Sequence, residues 1–118
     1  MMFHVRHAEI SPFDFHGLQI TDLTPLDFTA ASVAQITVAP GVAHATARSS
    51  RSDKLYVCTK GWVEFAVVNI PVTLKMGDLL VIPKNTWFSY RNATGNEARL
   101  LLVHVPGFDL DAEEFRDQ

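Results

Sequence analysis

The sequence contains almost no cysteine, since Cys58 is the single one among 118 residues. One thiol excludes an intramolecular disulfide and a cysteine-rich zinc or iron–sulfur site. Long apolar runs are missing too, so the sequence predicts no transmembrane helix. Residues 1–7 lack the apolar stretch of a signal peptide. We therefore expect a cytoplasmic protein in a reducing setting.

An excess of basic residues is also missing. The chain has 10 Lys and Arg against 13 Asp and Glu, which gives a net charge of −3. Proteins that bind nucleic acid usually carry a basic excess, so we expect neither a nucleic-acid partner nor a membrane partner. Hydrophobic residues make up 47% of the chain, enough for a core at this length. The sequence therefore predicts one domain over residues 1–118.

Helical patterns are scarce, and from residue 32 onward the chain consists of short β-rich runs between turn residues. Such spacing is typical of a sandwich or barrel, so we expect an all-β fold. Only Asp109–Asp117 is predicted to be helical, as a short C-terminal tail. The predicted strands are Ser32–Ala39, Lys54–Lys60, Trp62–Ile70, Val72–Lys75, Leu79–Ile82, Trp87–Arg91 and Arg99–Val105.

The turn residues follow a specific spacing. Gly41 and Gly61 are followed by Gly77, Pro83 and Asn92. In this order and at these intervals they resemble the two motifs of the cupin superfamily, the RmlC-like jelly rolls. The resemblance implies a double-stranded β-helix with its core over residues 32–106. Residues 1–30 are then an N-terminal arm with covering strands, and residues 107–118 an acidic tail.

The metal ligands of the cupin motifs are missing. Counted from Gly41, the two motif histidines fall on Ala47 and Ser49; in the shorter spacing they fall on Arg48 and Ser50. The motif glutamate falls on Lys54 and the second-motif histidine on Phe88. An ammonium group repels a divalent cation and phenylalanine has no lone pair to offer. We therefore predict no bound metal and no other cofactor.

Strand alternation predicts which side chains share the inside of the barrel. Lys54, Tyr56 and Cys58 are expected to face inward together, as are Phe88 and Tyr90. The predicted ligand-binding residues are Arg48, Ser49, Lys54, Tyr56, Phe88, Tyr90 and His104. A cation among aromatic rings favours an anionic or carbonyl-bearing small molecule. Two plainer interpretations stay open, in which Lys54 reaches the rim and the aromatic rings only fill the core.

Three different functions are consistent with these residues. The first is a metal-free cupin that binds a small ligand without converting it. The second resembles the metal-independent sugar epimerases and isomerases of the RmlC-like group, with His44 or His104 as base and Tyr56 or Tyr90 as proton donor. The third resembles the dimerising cupins of the centromere protein family. A polar group of side chains in the lumen would favour the enzyme, and a filled lumen would favour assembly.

A homodimer is expected, and the alternative is a monomer in which residues 8–30 fold back and cover their own barrel. Several predicted strands are apolar on both faces, and a barrel of this length has little to cover its outer surface with. The segment 2–6 carries Phe3 and Val5, which would add to the edge of a partner's sheet.

Overall fold

The computed structural model describes residues 1–116. Within them, strands dominate: 53% of the residues are in strands and 5% in helical turns, which confirms the all-β prediction. The strands are β1 Phe13–Phe15, β2 Leu18–Asp22, β3 Ser32–Val38, β4 Ala43–Ser49, β5 Asp53–Lys60, β6 Trp62–Val67, β7 Ile70–Lys75, β8 Leu79–Ile82, β9 Phe88–Arg91, β10 Ala98–Val105 and β11 Glu113–Phe115.

The strands form two antiparallel sheets. One has six strands in the order β1-β2-β3-β10-β5-β8, and the other has five in the order β11-β4-β9-β6-β7. The inward faces of both sheets supply one hydrophobic core, to which β10 contributes Leu100 and Leu102 and β6 contributes Val63 and Phe65. This arrangement confirms the predicted jelly roll.

The alternation predicted for β5 is confirmed. Lys54, Tyr56 and Cys58 are all buried, while Leu55 and Val57 on the opposite face are only partly covered. The neighbouring strand β10 pairs with β5 so that His104 lies opposite Lys54. Two polar side chains are thereby brought to the same end of the space between the sheets.

The predicted glycine turns also appear. Gly41, Gly61 and Gly77 all have positive φ, the region that glycine enters without steric cost. At Gly61, where β5 turns directly into β6, a Cβ atom would lie 3.2 Å from the carbonyl oxygen of Glu97. This turn therefore needs glycine for its backbone conformation and for space.

The predicted break at Pro71 is wrong. The chain turns earlier, at Val68 and Asn69, which both have positive φ, and Pro71 lies inside β7. Strand β7 is at the edge of its sheet, where a residue without an N–H group is tolerated.

The C-terminal segment is not the predicted helix. It contains a single 3-10 turn at Leu110–Ala112, and Glu113–Phe115 then pairs with β4 as strand β11. The edge of β4 offers backbone groups that an extended segment satisfies and a helix does not. Residues 117 and 118, the end of the expected helix, lie outside the described residues.

Within residues 1–116, no helix has the length and apolar character needed to cross a membrane.

Candidate functional site

A cavity of about 230 Å³ lies between the two sheets, and we call it the lumen. Most of its wall is apolar. The N-terminal hairpin contributes Phe13 and Phe15, β10 contributes Leu102, and the C-terminal segment contributes Phe108 and Phe115. An enclosed apolar wall with a few polar groups is typical of small-molecule sites.

The polar groups of the lumen come from five different strands. They are His44, Lys54, Tyr56, Tyr90, His104 and Glu113.

Lys54 and Glu113 form a buried ion pair. The Lys54 ammonium donates a hydrogen bond to Oε1 of Glu113, and the two side chains are 4% and 5% exposed. Burial lowers the pKa of Lys54, and the negative charge of Glu113 opposes part of that effect. Lys54 therefore faces the lumen, and the alternative that it reaches the rim is wrong.

His44 lies in a cage of aromatic rings. Its ring centroid is 5.0 Å from that of Tyr90, 5.3 Å from that of Phe88 and 6.3 Å from that of Phe115. Burial lowers the pKa of His44 to about 4, with a smaller contribution in the same direction from the charge of Lys54. Its Nδ1 donates to the carbonyl oxygen of Ala45 at 2.6 Å. The neutral ring therefore keeps its lone pair on Nε2, where it can accept a proton.

A local irregularity of β4 turns His44 inward. The pairing of β4 with β9 shifts register between His44 and Ala47, so both residues face the inside although simple alternation would separate them. Irregularities of this kind redirect side chains and are frequent next to functional sites.

The two tyrosines remain protonated. Burial raises the pKa of Tyr56 and that of Tyr90 well above the usual value of a phenol. Their ring centroids lie 5.7 Å apart, with the rings nearly perpendicular. Each phenol is thus a hydrogen-bond donor across the whole physiological pH range.

His104 is the second buried imidazole. Burial lowers its pKa to about 3, and the charge of Lys54 acts in the same direction. Its ring packs against Phe108 with centroids 5.2 Å apart. The histidine is therefore neutral at physiological pH.

Three polar atoms in the lumen wall have no hydrogen-bond partner within residues 1–116. They are the hydroxyl of Tyr90, Nε2 of His104 and Oε2 of Glu113. Buried polar atoms are nearly always paired, because leaving one unpaired costs about 1–3 kcal/mol. All three atoms belong to residues that line the lumen, so they are the groups there whose hydrogen-bonding capacity is left for a ligand or for water.

The structure brings four of the seven predicted binding residues to the lumen: Lys54, Tyr56, Tyr90 and His104. Phe88 is buried just behind the wall, with the Lys54 ammonium 5.0 Å from its ring centroid.

Ser49 and Arg48 lie away from the cavity, contrary to expectation. The Ser49 hydroxyl accepts hydrogen bonds from the backbone N–H groups of Arg51 and Ser52, so it stabilises a turn. Arg48 faces outward, where it contacts Glu114 at 3.0 Å and the ring of Trp87.

The basic residues Arg48, Arg51, Lys54 and Lys60, which are close together in the sequence, each pair with an acidic residue. Besides the Lys54–Glu113 pair, Arg48 pairs with Glu114, Arg51 with Asp109 and Lys60 with Glu97. Three of the four acids come from the C-terminal segment. Since Lys54 is paired with Glu113, it offers no free positive charge to an anionic ligand in the lumen.

The residues at the family's metal positions do not fit a metal. Ala47, Lys54 and Phe88 are buried there, and the ammonium of Lys54 repels a cation. Across the described part of the chain, no three His, Cys, Asp or Glu side chains lie close enough to hold an ion. Elemental analysis of untagged protein tests the predicted absence of metal, which stoichiometric zinc, iron, nickel or manganese would contradict.

The sequence interpretation missed Glu113 as a site residue and left His44 out of the binding set. A buried lysine requires a counter-charge, and the acidic tail is one place in the sequence where carboxylates are concentrated, so Glu113 had a weak signal. His44 was named only as a candidate base, and its place in the lumen could not be predicted, because the irregularity in β4 leaves no mark in the sequence.

Comparisons with known proteins agree with this fold. No protein with a curated function matches the sequence. Pac13 of Streptomyces, a nucleoside dehydratase seen with uridine, superposes with a TM-score of 0.85 at 22% identity, over 99% of this chain and 92% of Pac13. KdgF of Halomonas superposes with a TM-score of 0.82 at 16% identity, over 92% of this chain and 97% of KdgF. The cupin domain of Schizosaccharomyces pombe Cnp3 superposes with a TM-score of 0.74 at 14% identity, over 84% of this chain and 70% of the Cnp3 domain.

The family model described as "Cupin domain" matches residues 34–104, more than half of the sequence. With the jelly roll and the motif glycines in place, this match shows that the chain belongs to the cupin family.

Proposed function

We propose that this cupin binds a small uncharged molecule in its lumen and catalyses a metal-independent proton transfer on it, as an isomerase or an eliminating lyase. The observation that carries the proposal is the set of three unpartnered polar atoms, on Tyr90, His104 and Glu113, in the wall of one cavity that opens to the surface. A core needed only for packing would hold apolar groups at these positions.

The lumen contains the components of acid–base catalysis. His44 is neutral, with Nε2 as the lone-pair nitrogen, and serves as general base. Tyr90 keeps its proton and has no partner for its hydroxyl within residues 1–116, so it serves as donor to a substrate oxygen. Their rings are in contact at 5.0 Å, so one substrate can meet both groups.

A nucleoside-like or sugar-like substrate suits this wall. Aromatic side chains provide stacking surfaces, and the polar atoms provide hydrogen bonds for hydroxyl or carbonyl groups. Pac13, a nucleoside dehydratase, shares the fold, and its uridine complexes include one variant with a histidine replaced and two with a tyrosine replaced. The same residue types line this lumen.

Incubation with nucleosides and sugar carbonyl compounds in D₂O tests the proposal. Mass spectrometry detects deuterium uptake, which reports proton abstraction, and loss of water, which reports elimination. We expect His44→Gln to lower the rate by at least about 100-fold, the usual contribution of a general base. His7→Gln, at an exposed histidine, is the matched control and should leave the rate unchanged. Equal rates in the two variants would contradict the role of His44.

We also propose that the protein is a homodimer joined through the outer face of the six-stranded sheet. Leu55 and Val57 on β5 lie beside Val81 and Leu79 on β8, and beside Val103 and Leu101 on β10. Leu79 and Val81 are 56% and 50% exposed. A contiguous aliphatic patch of this kind suits a two-fold contact with its own copy.

A further inference from the structure

Lys54 is placed to react as well as to bind. Its side chain lines the lumen, so its amine shares one enclosed space with His44, Tyr56 and Tyr90. We propose that Lys54 forms an imine with the carbonyl group of a small uncharged aldehyde or ketone bound in the lumen. This assigns the substrate class for the site, and it rests on the proposed function of the lumen.

The ion pair supplies the proton chemistry that an imine needs. Only a neutral amine attacks a carbonyl, and Lys54 can transfer its proton to the Glu113 carboxylate with which it is hydrogen-bonded. Both partners are buried, so the transfer removes two charges from a site with little water. Burial also lowers the pKa of Lys54, which favours the same transfer.

The reaction balances within the site. The neutral amine adds to the carbonyl carbon, and the new N–C bond gives a carbinolamine. Glu113, now protonated, gives its proton to the carbinolamine hydroxyl, which leaves as water. The products are a protonated imine on Lys54, the Glu113 carboxylate and one water molecule. The net charge of the site is the same before and after, and no oxidant or reductant is required.

An imine would also assist the proton transfer proposed above. The protonated C=N group withdraws electrons and acidifies the adjacent C–H bond, which a neutral histidine can then deprotonate. The charge of Lys54 contributes to the lowered pKa of both His44 and His104, so its amine lies within electrostatic reach of two candidate bases.

The other lysines provide internal controls. Lys75 and Lys84 are exposed, and Lys60 pairs with Glu97 at the surface. Reductive trapping with benzaldehyde and cyanoborohydride at pH 7, followed by peptide mass mapping, compares all four in one sample. Benzaldehyde is uncharged and aromatic, as the lumen wall requires.

We expect Lys54 to be modified at least about tenfold faster than Lys75 and Lys84, because burial increases its neutral fraction and the lumen concentrates the probe. Glu113→Gln removes the acid that protonates the carbinolamine hydroxyl. It also removes a charge that raises the pKa of Lys54, but without the acid the loss of water slows, so trapping at Lys54 should be slower while the rates at Lys75 and Lys84 stay unchanged. Labelling of Lys54 at the rate of the surface lysines, or no labelling of Lys54, would overturn the proposal.

Two further measurements distinguish this proposal from the proposed function. NMR signals of the His44 ring report whether benzaldehyde enters the lumen. Entry without trapping at Lys54 overturns the imine and leaves lumen binding in place. Trapping at Lys54 without deuterium exchange on any substrate supports the imine and contradicts the acid–base function.

Discussion

At the residue scale, the buried pair of Lys54 and Glu113 has the largest energetic consequence. Both side chains are almost fully enclosed, and Oε2 of Glu113 has no partner among residues 1–116. Removing one member of such a pair leaves an uncompensated buried charge. Removing both members also removes the free-energy cost of taking two charges out of water.

The variant Lys54→Met should therefore lower the free energy of unfolding by about 3 kcal/mol, and the double variant Lys54→Met/Glu113→Leu should recover most of that loss. Urea unfolding at pH 7 measures both. Lys60→Met breaks the exposed pair with Glu97 and should cost less than about 1 kcal/mol. A double variant no more stable than Lys54→Met alone would show that the two charges are not coupled.

The two histidines of the lumen wall, His44 and His104, predict a stability that depends on pH. The pKa of His44 is about 4 and that of His104 about 3 in the folded chain, below the ordinary value of about 6.5 in the unfolded chain. Between these values the unfolded chain binds more protons. The stabilisation is therefore complete above pH 6.5 and is lost as the pH falls toward 4 and then 3.

We expect the free energy of unfolding to fall by up to about 1.4 kcal/mol per pH unit for each histidine below pH 6.5. Urea titrations at pH 7.5 and pH 5 measure this slope. His44→Phe should remove about half of it, and His7→Gln should leave it unchanged, since His7 is exposed. A slope that His44→Phe does not reduce would argue against the burial of a neutral His44.

At the scale of elements, the turn after β9 depends on one amide. Asn92 is fully buried; its Nδ2 donates to the carbonyl oxygens of Val38 and Asn96, and its Oδ1 accepts from N–H and Oγ1 of Thr94. The bond to Val38 joins the turn to β3, which is in the other sheet, and the other three bonds hold the turn itself together. Asn92, a position of the second cupin motif, therefore stabilises its turn by bonds to backbone groups.

Asn92→Ala should lower the free energy of unfolding by about 3 kcal/mol, because it removes four hydrogen bonds of a buried amide, among them the bond to the carbonyl oxygen of Val38 in the other sheet. Thermal and urea unfolding measure the change. Asn96→Ala, at an exposed position of the same turn, should change stability by less than about 0.5 kcal/mol. Similar losses in both variants would mean that the turn as a whole, and not the Asn92 amide, stabilises the junction.

The C-terminal segment is the second element that matters for function. Its 3-10 turn and β11 contribute Leu110, Glu113 and Phe115 to the lumen wall, and Asp109 and Glu114 pair with arginines on the outer surface. A segment that looks like a solvated acidic tail therefore completes the site.

At the scale of the whole molecule, the apolar outer face of the six-stranded sheet predicts self-association. Light scattering at micromolar concentration should give twice the chain mass of 13.1 kDa. Val81→Lys places a charge in the aliphatic patch and should give the mass of a single chain. Leu26→Lys, at a fully exposed leucine elsewhere, is the matched control and should stay dimeric.

The N-terminal arm is a separate part of that prediction. Residues 1–6 form no strand in the chain as described, and Phe3 and Val5 are exposed. If the arm joins the partner's sheet, deletion of residues 1–6 should weaken the dimer. A dimer of unchanged stability after the deletion would assign the contact to the sheet face alone.

Local sequence determined most of the fold. Five of the seven predicted strands match β3, β5, β8, β9 and β10 within one residue at each end, because alternation and turn residues act over a few positions. The same alternation placed Lys54 and Tyr56 inside correctly.

Only the tertiary structure decided the chemistry of the lumen. Glu113 reaches Lys54 across 59 positions of sequence, because the last strand pairs with the edge of β4. His44 faces inward because the register of β4 shifts against β9, which depends on pairing between strands and not on the composition of either. Periodicity fixes which side of a strand a residue occupies, whereas long-range pairing determines which buried charges meet and which nitrogen of a histidine is available for a proton.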